Sequence, residues 1–146
     1  MSTHAEKRKL PYTPEQLFEL VSDVEKYPEF LPWCISCKIL SRENNVFHAD
    51  LVIGYKMFRE TFRSKVTLNH PDHLHVEYVK GPMKHLSNHW RFMRQDDGSC
   101  EIDFYVDFEF KNMFFQSLMG AFFNEIVRRM VAAFEARARQ LYSKKQ

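Results

Sequence analysis

Residues 102–142 read IDFYVDFEFKNMFFQSLMGAFFNEIVRRMVAAFEARARQLY, and the hydrophobic period changes within that stretch. Ile102, Phe104, Val106, Phe108 and Phe110 alternate with Asp103, Tyr105, Asp107 and Glu109. Alternation of this kind belongs to a strand with one covered and one wet face. After Asn112, which can cap a helix, the spacing becomes three and four: Met119, Phe122, Ile126, Met130 and Ala133. Phe123, Val127, Phe134, Ala138 and Leu141 widen that stripe, and Asn124, Arg128, Glu135 and Arg139 mark the other side. A helix running to about Leu141 would be on the order of 45 Å long at about 1.5 Å per residue. So long an apolar stripe needs an extended partner, and the inner face of a sheet is the one available.

The rest of the chain supplies that sheet. Residues 4–10 read as a first strand. YTPEQLFELV then carries a helix start, with Thr13 as cap, Pro14 at the first helical position and Gln16 at the capping-box position. A second short helix is expected to about Tyr27, and Pro28 and Pro32 stiffen YPEFLPW into a corner or lid that projects aromatic groups. A packed loop is the plainer reading of that corner. From residue 35 the period is two: a hairpin turns at Asn44-Asn45, and Phe58, Glu60, Phe62, Ser64, Val66 and Leu68 share one face opposite Arg59, Thr61, Arg63, Lys65 and Thr67. NHPDH at 69–73, Gly81-Pro82 and Asp96-Asp97-Gly98 are further turns, and the strand after Gly81-Pro82 is expected to resume near residue 86. The expected fold is α+β, one domain over residues 1–146: a curved antiparallel sheet of about seven strands around a long C-terminal helix, with two short helices after the first strand. A strongly curled sheet touches a straight helix more easily at its rim than at its middle. Large side chains or an apolar ligand can fill the gap, and composition does not separate these.

Composition bounds the function. The chain has 146 residues, 45% of them hydrophobic, with 14 Phe and a net charge of +2. One sizeable core is affordable, and so small a charge does not by itself indicate nucleic acid. No apolar run approaches the roughly 20 residues of a membrane span, and MSTHAEKRKL has basic residues without an apolar core. The expected location is cytoplasmic, with free thiols. Arg128, Arg129, Arg137, Arg139, Lys144 and Lys145 load the end of the chain, most simply as a solvated helix face.

The search for catalytic chemistry finds no centre. Cys34 and Cys37 have the spacing of half a zinc site or of a redox pair, but they lead into a strand, and Cys100 lacks a close companion. His70, His73 and His75 surround a turn, and His85 and His89 share a strand face; packed or solvated imidazoles are the commoner meaning of both groups. The four glycines are isolated, so no phosphate-cradling loop is present, and no nucleophile elbow occurs. Arg63, Lys65 or His89 could orient a ligand carbonyl at a pocket mouth, though each is more simply an exposed sheet residue. No catalytic residue, metal site or required cofactor is expected.

Several strings carry a resemblance: LPYTPEQLFELVSDVEKYPEFLPWC, FRETFRSKV, GPMKHLSNHWRF, IDFYVDFEFKN and FEARARQLY. Together they span nearly the whole chain, which resembles the coenzyme Q-binding START-like family within the polyketide-cyclase and Bet v-like helix-grip superfamily. The resemblance implies a non-enzymatic protein that binds ubiquinone or a related prenylated lipid and delivers or positions it for respiratory electron transport. It places Tyr27, Pro28, Phe30, Leu31, Pro32 and Trp33 at a lid and pocket mouth, and Phe62 and Val66 in the wall. Gly81, Pro82, Leu86 and Trp90 fall on the sheet side, and Phe122, Ile126 and Met130 on the helix. It also implies peripheral contact with the inner face of the respiratory membrane through the YPEFLPW corner, by a monomer or, alternatively, a homodimer. Some bacterial members of the same family look like toxins that bind the large ribosomal subunit and block subunit association. They share the YP-x-FLP and GP-x-K-x-L strings. Trp33 after Pro32, and FEARARQLY, are associated more with the quinone-binding branch.

Overall fold

A computed structural model describes residues 2–55 and 58–142. Its elements are β1 (Ser2–Leu10), α1 (Pro14–Ser22), the 3-10 helix η1 (Val24–Glu29), β2 (Cys34–Glu43), β3 (Val46–Tyr55), β4 (Phe58–Asn69), β5 (His73–Lys80), β6 (Met83–Arg94), β7 (Cys100–Phe110) and α2 (Met113–Tyr142). The seven strands form one antiparallel sheet in the order β1-β7-β6-β5-β4-β3-β2. Every neighbour pair except β1–β7 is therefore sequential, and β1 returns beside the last strand because α1 and η1 carry the chain across one end.

Local chemistry accounts for the boundaries. The Thr13 hydroxyl accepts from Gln16 N–H at 3.1 Å, and the Gln16 side chain accepts from Thr13 N–H at 3.0 Å, so the capping box is closed in both directions. Pro14 follows at the first helical position, and Leu17, Phe18, Leu20 and Val21 form the buried face. Asn44 turns the β2–β3 hairpin at φ 57°, where Asn is tolerated better than most residues. β6 begins at Met83, three residues earlier than its periodicity indicates, since Gly81 and Pro82 form the whole β5–β6 turn. Gly81, at φ 148°, also lies so close to the Thr61 carbonyl that a Cβ would meet it at 2.7 Å. Asn112 caps α2, its side-chain oxygen accepting from Phe114 N–H at 2.8 Å and Phe115 N–H at 3.2 Å.

The core lies between the sheet's inner face and the helices. β7 contributes Ile102, Phe104, Val106, Phe108 and Phe110, all at most 6% exposed, and α2 contributes Val127, Val131, Phe134 and Ala138. The helix packs on α1, β1 and β7. That seat covers one side of the sheet and leaves the concave wall of β3–β5 facing a gap.

Candidate functional site: an apolar cavity under the long helix

The gap is a part-open cavity of about 300 Å³. Its floor is the inward face of the sheet: Ala49, Leu51 and Ile53 from β3, Phe62, Ser64 and Val66 from β4, Leu74 and Val76 from β5, and Leu86, Asn88 and Trp90 from β6. Each set is spaced by two, as the pleat requires. Phe104, Val106, Phe108 and Phe110 close the β7 side, and Phe123, Ile126, Val127, Met130 and Phe134 descend from α2. Val24, Tyr27, Leu31 and Trp33 form the end wall.

Aromatic contacts brace that end. The Phe134 ring lies 5.3 Å from Tyr27, 5.2 Å from Phe30 and 5.1 Å from Trp90, each approached edge to face. Tyr27 donates its hydroxyl proton to the Val21 carbonyl, and burial pushes its ionisation far above the usual phenol range. Arg137 lies over the Phe30 ring at 5.2 Å and pairs with Glu29 at 2.6 Å, fastening η1 to the C-terminal half of α2. Arg8–Glu135 at 2.7 Å and Tyr142 Oη donating to the Gln16 carbonyl at 3.0 Å hold the same half.

Of the residues singled out in the sequence, Tyr27, Leu31, Trp33, Phe62, Val66, Leu86, Trp90, Ile126 and Met130 line the cavity. Phe30 and Phe122 are not among its walls. Phe30 is taken up between Phe134 and Arg137, and Phe122 is 52% exposed. One residue step turns an α-helix by about 100°, so Phe123 faces the interior and its neighbour Phe122 faces solvent. The YPEFLPW corner is a packed segment, with Leu31 at 6% exposure, in place of a projecting lid. Met57, Lys144, Lys145 and the Met119 side chain lie outside what is described.

Arg63, Lys65 and His89 sit on the outer face of the sheet. Arg63 is engaged there by both Asp50 oxygens at 2.8 and 3.0 Å, and His89 by His73 at 2.9 Å. The polar groups that do reach the cavity are Ser64, Asn88 and Cys37. Ser64 was legible as a member of the Phe62–Val66 face; Asn88 shares parity with Leu86 and Trp90. Cys37 lines the wall on an edge strand, three residues from the buried Cys34 with a bulge between Cys34 and Ser36. Burial pushes the Cys37 thiol up to about 12 and that of Cys34 to about 11, the reverse of an activated thiolate. Among the described residues, no group of three or more His, Cys, Asp or Glu is arranged to hold a metal ion.

Residues 10–135 match the family model for polyketide cyclase / dehydrase and lipid transport proteins. The chain belongs to that family. The ribosome association toxin RatA of Rickettsia prowazekii is 33% identical over 136 residues, covering 90% of this chain and 92% of that protein. The mitochondrial coenzyme Q-binding protein COQ10 homolog B of Xenopus laevis is 33% identical over 147 residues, covering 98% of this chain and 60% of its own length. Among solved structures, the Zhui aromatase/cyclase of a Streptomyces species superposes with a TM-score of 0.87 at 14% identity, covering 99% of each chain. The architecture is the START-like helix-grip fold. The family's description thus spans cyclases, dehydrases and lipid-transport proteins.

Proposed function

We propose that this protein is a non-enzymatic carrier that holds a prenylated quinone, or a closely related prenyl lipid, between its sheet and α2. The observation that carries this reading is the lining of the cavity: apart from Ser64, Asn88 and Cys37, its described walls are hydrocarbon, aromatic or methionine thioether. No carboxylate, imidazole, ammonium or guanidinium is among the described lining residues, which supports binding over a cyclase reaction. A cavity of about 300 Å³ is at the small end of the roughly 300–1,000 Å³ typical of ligand sites. It suits a quinone ring with the first units of its tail, the remainder leaving through the opening. At about 0.8 kcal/mol per buried carbon, each five-carbon prenyl unit contributes about 4 kcal/mol. Two enclosed units then offset the lower end of the roughly 4–15 kcal/mol cost of association. Ser64 and Asn88 supply hydroxyl and amide donors for quinone carbonyl oxygens. Similarity to the coenzyme Q-binding protein supports the same ligand class.

The chain's two tryptophans, Trp33 and Trp90, both line the cavity, so a bound quinone should quench the intrinsic fluorescence. Ala49→Phe places a ring in the cavity while leaving both tryptophans. The expected result is saturable quenching by ubiquinone in the parent protein and at least tenfold weaker quenching in the variant at unchanged secondary structure. Equal quenching in both would remove the ligand from this cavity.

A second reading, association with the large ribosomal subunit, is favoured by similarity to RatA along most of both chains. The basic residues of α2 support it weakly: Arg128 and Arg129 pair with Glu125, and Arg137 with Glu29. Co-sedimentation with purified large subunits, weakening steeply as salt rises, is the outcome this reading requires.

A further inference from the structure

The first three turns of α2 differ from the rest of the helix. Met113 is 83% exposed, Phe114 69%, Leu118 44% and Phe122 52%. Phe114, Leu118 and Phe122 are spaced by four and share one face. Phe115 and Phe123, on the other side, pack against Met83, Phe108 and Phe110. This segment is therefore apolar toward both core and solvent, whereas farther along the helix the exposed positions include Arg128, Arg129, Arg139 and Gln140 beside Ala132, Ala136 and Leu141. A surface helix normally shows water a polar face. Phe110 N–H donates to the Gln116 side chain at 2.7 Å and Asn124 meets His4 at 2.9 Å in this segment, while the ion pairs to Glu29 and Arg8 hold the far half.

We propose that this exposed face is a membrane-docking surface, on which Met113, Phe114, Leu118 and Phe122 enter the headgroup region of an anionic bilayer. The surrounding charge favours lipid. Exposed Lys80 and Lys84 flank the β5–β6 turn, and exposed Lys111 is tied to that turn through its N–H to the Pro82 carbonyl at 3.0 Å. Glu109 answers Lys84 at 3.7 Å. Arg128 and Arg129 follow on the helix, with Glu125 between them. These cations stand on the segments that adjoin the start of the helix, with Glu109 and Glu125 as partners and Asp50 acting on Lys80. Anionic headgroups neutralise the exposed lysines while the rings reach the acyl boundary; a second copy of the chain is the other occupant, and the test distinguishes it. Phe123 and Ile126, on the same stretch of helix as this face, line the cavity, so docking holds the helical wall of the cavity close to the bilayer, where a prenyl lipid resides. The inference deepens the carrier reading and rests on it for its purpose, but the docking itself is tested without cargo.

The test is flotation of the full chain with quinone-free vesicles of phosphatidylcholine, alone or mixed with phosphatidylglycerol, for the parent protein and for Phe114→Ser/Leu118→Ser. Both substituted side chains are exposed, and thermal unfolding checks that the variant remains folded. Expected are binding to the phosphatidylglycerol vesicles that falls with salt, at least a tenfold loss in the double variant, and a partial loss in Lys80→Glu/Lys111→Glu. A parent protein that does not float, or a double variant that floats equally, overturns the proposal. So does a parent dimer in sedimentation equilibrium that the double variant abolishes, which assigns the face to a second copy. Flotation without tryptophan quenching by detergent-solubilised ubiquinone upholds the docking face and removes the cargo reading; quenching without flotation does the reverse.

Discussion

In the proposed carrier, Ser64 and Asn88 are the discriminating groups at the scale of single residues, because hydrocarbon walls attract any apolar molecule but only hydrogen-bonding groups orient a carbonyl. A neutral hydrogen bond contributes about 0.5–1.5 kcal/mol. Ser64→Ala with Asn88→Leu should therefore weaken ubiquinone binding about three- to tenfold per bond lost, while a prenyl hydrocarbon without carbonyls binds as before. Equal effects on both ligands, read by displacement titration, would deny these residues an orienting role. On the outer face, desolvation by burial first, then neighbouring positive charge, holds His73 and His89 below the ordinary histidine value of 6.5. For His73 the charges are Arg91, His89 and His75; for His89 they are His75 and Arg91, opposed by Asp107 and Glu77. Between the lowered value and 6.5 the unfolded chain binds more protons than the folded one, so stability rises with pH there. This contribution is complete above 6.5 and is lost as pH falls through the lowered values. Denaturant titrations should show that acid loss, and His89→Gln should flatten it; an unchanged slope would assign the loss to other groups. Which residue of an adjacent pair faces inward was the least legible feature at this scale. Phe122 and Phe123 are chemically alike in the sequence, and only the seat of the helix on β7 decides that Phe123 packs on Phe108 at 4.0 Å.

Among the elements, α1 and β7 were legible because their signals are local. Thr13, Pro14 and Gln16 specify a helix start without reference to anything distant, and the alternation from Ile102 to Phe110 admits one covered face. Thr13→Ala should cost about 1 kcal/mol, within about 0.5–2, measured by urea unfolding. No measurable change would mean that the interlocking bonds to Gln16 contribute nothing net. The YPEFLPW corner was legible as a stiff segment, with the choice between lid and packed loop left open, since the packing of Phe30 depends on Phe134 and Arg137, more than a hundred residues later. α2 divides in the same way. Its stripe indicated the helix but counted Phe122 and Leu141 on the buried side, and the exposed apolar face of its first turns became evident only when Phe115 and Phe123 were seen to occupy the interior.

For the molecule as a whole, curl and helix seat produce the cavity. α2 packs on α1, β1 and β7, so the concave wall from β3 to β5 is left to line a space instead of meeting the helix. Sequence periodicity supplied the greasy walls but not the choice between a filled and an open interior, because that choice depends on how far the sheet curls away from the helix. No helix among the described residues is long and apolar enough to cross a membrane, and the proposed lipid contact at the start of α2 is a surface contact. The fold itself is shared with aromatase/cyclases and does not select a function. The content of the cavity does. Native mass spectrometry of the protein recovered from a quinone-containing membrane extract, with organic extraction of the bound species, addresses it directly. The account predicts a one-to-one adduct with the mass of a prenylated quinone; folded protein that acquires no adduct after incubation with solubilised quinone would contradict it.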